Sequence, residues 1–200
     1  MGRFTKISQD AFEDLQLDTG VLLSTFDPAS NEAPADEAII CATTGGITVA
    51  CVPTFSDMGA DVDNCPANTK ELMHLDGWDC SLAFNALSTR ASAIKMALGV
   101  ADVAGNKVTP RGSLKQEDFQ DIWWAGDRAD GGWVAVCLKD ALSTSGLTLK
   151  TTKNGKGQIT VTLKGHFSIK KQDVVPMEFY SSEPAEAAAA AAAAVEEGDA

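Results

Sequence analysis

A mainly β fold of the α+β kind, with one flanking α-helix, is the class this sequence predicts, and three observations predict it. From Ile159 to Ile169 the apolar residues Ile159, Val161, Leu163, Gly165, Phe167 and Ile169 alternate with Thr160, Thr162, Lys164, His166 and Ser168. Alternation with a period of two marks a strand with one buried and one wet face. Residues 75–87 repeat it, with Trp78, Cys80, Leu82, Phe84 and Ala86 on one face and Asp79, Ser81 and Asn85 on the other. Only the stretch around 89–98 carries a clear helical stripe, formed by Ala91, Ile94 and Leu98.

Taken in order, residues 9–16 are expected to form a short helix with Phe12 and Leu15 on one side, and 27–37 a polar loop with two prolines. Ile47, Val49, Cys51 and Phe55 then open the first long strand, where Pro53 predicts an edge position or a bulge. The chain turns polar and acidic over 56–69 before the second strand, and His74 reads as a turn residue. Ser88 and Thr89 are N-cap candidates for the helix, and Gly99 is its stop. Residues 100–114 read as a loop. Ile122-Trp123-Trp124 precede a turn over 125–132, followed by a strand with Val134, Val136 and Leu138. Leu147 and Leu149 alternate with Thr148 and Lys150 in a strand that pairs with the 159–169 strand. Asn154-Gly155 supplies the residues of a tight type I′ hairpin turn between them. Met177, Phe179 and Tyr180 form a last short strand. Eight consecutive alanines, 187–194, belong to an appendage dispensable for folding.

At 200 residues the chain can bury a sizeable core, and its 44% hydrophobic content is ordinary for a globular protein. The formal net charge of −12 leaves no basic footprint, which argues against tight nucleic-acid binding. Five cysteines, none spaced CxxC, exclude a zinc knuckle or a thioredoxin-type motif. Cys51, Cys80 and Cys137 fall in strand patterns as small hydrophobes. No apolar leader or membrane-spanning run is present, and Lys6 departs from a myristoylation signal. The expectation is a protein made and kept in a reducing cytosol.

The chain offers little chemistry. His166 lies on the polar side of the last long strand without an elbow or triad motif, so a structural hydrogen bond is its expected role. Asp57, Asp61, Asp63 and Asn64 invite a metal reading, yet the alternation is too short and Gly59 stands too early for a calcium loop. A solvated acidic loop is the simpler reading. Asp127 and Asp130 sit among glycines and read as turn residues. Trp123 and Trp124 face opposite ways in a strand, one toward the core and the other available to a neighbouring subunit.

Several segments occur in a telling order. Ser8-Gln9-Asp10 and 15–20 come first, then Thr43-Thr44-Gly45-Gly46-Ile47. Asp61-Val62-Asp63-Asn64 follows, with Pro66, Asn68, Thr69, Lys70 and Glu71 behind it. Leu75-Asp76-Gly77-Trp78, Pro110-Arg111 and Glu117-Asp118-Phe119 with Ile122-Trp123-Trp124 come next. Leu142-Ser143-Thr144, Gly155-Lys156-Gly157, Gly165-His166 and Val175-Pro176 close the series. In this order the sequence resembles the major tail protein, or tail tube protein, of long-tailed bacteriophages of Gram-positive hosts. The alanine-rich tail departs from that pattern.

The resemblance implies a β-sandwich-like barrel of the tail tube type, with an N-terminal arm and loop over 1–44, the β domain over 45–180 and a flexible tail over 181–200. It implies a structural virion protein and no enzyme, without cofactor, metal or membrane anchor, assembled in the host cytoplasm. Its homo-oligomer is a hexameric ring, stacked into the tube through which viral DNA passes during genome ejection without specific binding. Tape measure, tail tip and terminator proteins are the implied partners. The expected subunit-interface residues are Asp57, Asp61, Asp63 and Asn64 in the 56–71 loop, with Trp123 and Trp124. The competing readings are another phage tail component, a secreted effector conduit, and a carbohydrate-binding β-sandwich using Trp123, Trp124 and Trp133 as an aromatic surface. An enzyme is the weakest of them, for want of a convergent nucleophile, base and oxyanion donor.

Overall fold

Runs of β-branched and aromatic residues, broken by glycine- and asparagine-bearing turns, produce ten strands and one α-helix among the described residues. The computed structural model describes residues 7, 11–13, 15–30 and 32–182. The chain is mainly β with antiparallel strand pairing, and it divides into two compact units. The alanine-rich segment and much of the expected 9–16 helix lie outside the described residues. Within that stretch, residues 11–13 form a turn, and Gln16 already belongs to a strand.

Among the described residues, the first unit contains those up to Ala42, Asp121–Cys137 and those from Glu178 to Ser182. Strand β1 (Gln16–Leu23) pairs antiparallel with β6 (Gln120–Arg128), with Leu23 opposite Trp123 and Leu22 opposite Trp124. The ladder slips between Leu17 and Val21. Gly20 sits in that slip with φ +65, and a Cβ there would lie 2.3 Å from the Ala125 carbonyl oxygen. Only glycine allows the two backbones to pass so closely. Strand β7 (Trp133–Ser143) begins in this unit, and β10 (Met177–Ser181) pairs with it. Leu23, Trp123, Ala125, Ala135 and Cys137 form the core, with Phe26, Trp133 and Tyr180 packed against it. The Phe26 ring stands edge-on to Trp133 at 5.1 Å and tilted to Trp123 at 5.5 Å, geometries the ring quadrupoles favour. The turn expected over 125–132 is shorter, because β6 continues through Arg128. Asp130 makes the turn itself, accepting the Gly132 N–H at 3.0 Å.

The second unit contains Thr43–Gln120 and Leu138–Met177. Strands β2 (Thr43–Asp57) and β3 (Met73–Ala86) pair from Thr43↔Ala86 to Asp57↔Met73. β9 (Gln158–Lys164) lies on the other side of β3, and β8 (Thr148–Lys150) and the end of β7 pair with β9. The alternation anticipated in the sequence is realised here: Cys80, Leu82, Phe84, Ala86, Ile159, Val161 and Leu163 are buried. Pro53 takes the expected edge position, since β2 is the outer strand of the ladder. It stays in register with Trp78, and the shift at Thr54/Phe55 leaves the extra residue, Asp76, on β3.

Several expectations in this unit need correction. β9 ends at Lys164, so Phe167 and Ile169 leave the alternation and are exposed. Pro176 crowds Gly165 there, and a Cβ on Gly165 would lie 2.9 Å from its carbonyl oxygen. The tight I′ turn is instead a longer connection over 151–157, with Asn154 at φ 59 and Gly155 outside the positive-φ residues. α1 (Ala91–Leu98) buries Ala93 and Ala97, not Ala91, Ile94 and Leu98, and Arg90 occupies its N-cap without a side-chain bond. Two alanines bring the helix close enough for Ser143 to donate to the Ala97 carbonyl at 2.7 Å. Gly99, at φ 74, does end the helix. Finally, the 100–114 loop contains a hairpin of β4 (Ala101–Ala104) and β5 (Lys107–Pro110), and His74 lies within β3 rather than in a turn.

An ion-pair cluster anchors that hairpin. The Arg111 guanidinium reaches the buried Asp118 carboxylate at 2.5 Å, and its Nε lies 2.9 Å from Asp102. Asp118 also accepts the Lys115 N–H at 2.8 Å. The backbone bond from Lys115, reinforced by Arg111, holds the Asp118 carboxyl below its ordinary value of 3.8.

Candidate assembly surface

β3 has β9 as a ladder partner only over Ser81–Ala86, whereas its pairing with β2 continues as far as Met73. The distal half of this pair, 52–57 with 73–79, is therefore a two-stranded ribbon. Along β2 the face carrying Val49 and Cys51 continues through Pro53 to Phe55 and Asp57. On the ribbon that face is half-buried at Pro53, Trp78 and Asp57 and opens at Phe55, Leu75 and Met73. Phe55 lies opposite Leu75, and they are 55% and 43% exposed, while Met73, opposite Asp57, is exposed as well. Val52 is exposed on the other face, and Met58 and Val62 are exposed in the tip loop. Exposed large apolar residues among acidic ones make the ribbon and its tip a candidate interaction surface.

The tip is held by its own hydrogen bonds. Asp57 turns its carboxylate into the loop, accepting N–H groups from Asn68 and Gly59, each at 2.9 Å. These two bonds, Asn68 first, hold its carboxyl below the ordinary value of 3.8. Met58 N–H donates to Leu72, and Thr69 Oγ1 donates to the Pro66 carbonyl at 2.7 Å. Gly59 is buried at the centre, where a Cβ would lie 2.8 Å from Leu72 Cδ1 and 2.9 Å from Cys65 Sγ. Asn64 and Asn68 take positive φ, which asparagine tolerates better than most residues.

The tip thus brings together four of the six expected interface residues. Asp57 is occupied inside the loop; Asp61, Asp63 and Asn64 are exposed. No group of three or more potential metal-ligating side chains occurs among the described residues. The other two belong to the first unit and part company there. Trp123 is 8% exposed and belongs to the core, which corrects its assignment as an interface residue. Trp124 is half-buried, and its indole N–H donates to the Thr19 carbonyl at 3.0 Å. With Trp123 buried and Trp133 packed on Phe26, the three tryptophans do not form an open aromatic surface for a sugar.

His166 takes the structural role expected of it. Its Nδ1 lies 3.1 Å from the Asp140 carbonyl, and its ring stands edge-on to Phe119 at 5.2 Å. Phe55, Leu75 and Met73 were not expected to be surface or interface residues from the sequence. The usable signal was Met58 and Val62, apolar residues inside an otherwise acidic, turn-rich stretch. No helix among the described residues is long and apolar enough to cross a membrane. No protein-family model, curated protein or solved structure matches this chain.

Proposed function

We propose that this chain is a structural tail-tube protein whose copies associate as hexameric rings and stack into a conduit for phage DNA. The ordered sequence resemblance nominates this function. The observation that carries it is the exposed apolar face of the β2–β3 ribbon, presented on a tip that its own hydrogen bonds hold in shape. A monomer gains nothing from that exposure, whereas a neighbouring copy covers it.

The rest of the chain supports the same reading. β2 is an outer strand, with an edge that a neighbour can cover. A heterologous contact that closes laterally and repeats axially yields rings and then a filament. In such a tube a β-sandwich-like barrel forms the wall, and the net charge of −12 supplies a negative bore that repels DNA phosphates and lets the duplex slide.

The test is negative-stain microscopy and sedimentation of wild type beside Phe55→Asp, Leu75→Asp and the Asp61→Lys/Asp63→Lys double variant. Wild type is expected to give rings or tubes. The variants are expected to remain monomeric with unchanged circular dichroism. Tubes of normal yield from all the variants would exclude the ribbon as the contact.

A further inference from the structure

Cys51 and Cys80 are direct cross-strand partners in the β2–β3 ladder, at the base of the ribbon, and their sulfurs lie 3.2 Å apart. All five cysteines are free thiols. We propose that this pair is an oxidation site, converted by a low-molecular-weight disulfide such as glutathione disulfide into an intramolecular Cys51–Cys80 bridge.

Geometry carries the proposal. A disulfide requires Cα atoms about 4.4–6.8 Å apart. Directly opposed residues of an antiparallel pair have Cα separations of about 4.5–5.5 Å. The strands already hold the two residues within that window, so closing the bond asks for side-chain rotation and not for strand movement. Exposure sets the order of events. Cys80 is 1% exposed, whereas Cys51 is half-buried, so Cys51 is the thiol an outside disulfide reaches.

The exchange balances in two steps. The Cys51 thiolate attacks one sulfur of glutathione disulfide, the sulfur–sulfur bond breaks, and one glutathione leaves and takes up a proton. Cys80, giving its proton to solvent, then attacks the Cys51 sulfur and expels the second glutathione. Two protein thiols are oxidised to one disulfide, and one glutathione disulfide is reduced to two glutathiones. Burial, assisted by the adjacent Cys51 thiol, pushes the Cys80 thiol up to about 12, which disfavours the second step. Its placement beside the Cys51 sulfur opposes that penalty, because the attack is intramolecular. The bridge would fasten the ribbon to the buried part of the sheet, whatever the ribbon binds, so the proposal does not rest on the tube reading.

Peptide mass spectrometry tests it. The reduced full-length protein is incubated with glutathione disulfide, unfolded, alkylated and digested. The expected result is a Cys51–Cys80 linked peptide, released by dithiothreitol, with Cys41, Cys65 and Cys137 alkylated. Cys80→Ser is expected to accumulate a stable glutathione adduct on Cys51, since nothing resolves it. Five alkylated cysteines in the wild type would overturn the proposal, as would a persistent wild-type adduct on Cys51 or a link through any other cysteine. The wild-type pattern decides the matter even where the variant fails to fold.

Discussion

Trp123 and Trp124 are adjacent and chemically identical, yet their alanine variants are expected to behave differently. Trp123 lies between Phe26 and Tyr180 in a core cluster. Trp123→Ala is expected to cost about 3–5 kcal/mol of unfolding free energy, as large-to-small core changes do. Trp124 is half-buried with one hydrogen bond to Thr19, so Trp124→Ala is expected to cost about 1 kcal/mol. Denaturant titration reads both, and equal losses would contradict the assignment. Alternation makes it legible that the pair divides between two faces. It does not say which face is covered, because that depends on Phe26 and Tyr180, far away in the chain.

The same scale sets the response to acid. Asp57 and Asp118 have folded-state values below the ordinary 3.8, so their carboxylates favour the folded protein above that pH. That stabilisation is lost as pH falls below 3.8 through the depressed folded values. Asp118→Asn is expected to lower Tm at neutral pH, and the gap to wild type is expected to narrow below 3.8. A gap independent of pH would contradict this. Asp118 could not be singled out from sequence, since its environment is made by Arg111 and the unanticipated β4–β5 hairpin. Gly59→Val at the tip meets Leu72 and Cys65, and is expected to cost about 1–3 kcal/mol by overpacking.

At the scale of elements, the β2–β3 pair has two regimes. Over Ser81–Ala86, β3 is flanked on both sides, whereas from Met73 to Asp79 it has β2 alone as ladder partner. A two-stranded ribbon is marginal in water without other support. Hydrogen exchange is therefore expected to be faster in the ribbon than across Ser81–Ala86, and to slow in the ribbon when copies assemble. Equal protection in the free protein would contradict the division. Strand positions here were legible because Cys80, Leu82, Phe84, Ile159, Val161 and Leu163 keep a strict period of two. Two features were not. The β4–β5 hairpin has four-residue strands with exposed residues, so its alternation carries little signal beside the Gly105-Asn106 turn. Helix α1 buries alanines, and alanine is too common on exposed helix faces to reveal an inward stripe.

For the whole molecule, the net charge is −12, and the proposed assembly has to bring such copies together. Their mutual repulsion is screened over roughly 10 Å at 0.1 M salt, so association is expected to strengthen as ionic strength rises from low values. The apolar ribbon face was not legible in sequence, because Phe55, Leu75 and Met73 continue the pattern of the buried strand. Their exposure depends on what packs over that face of the sheet, which only the fold reveals.

The most direct test is negative-stain microscopy of wild type and Phe55→Asp across a concentration series at physiological salt. Rings or tubes that form with wild type and are absent from the folded variant are the expected result. A wild type that remains monomeric at every concentration, or a variant that assembles as well as wild type, would contradict assembly through the ribbon.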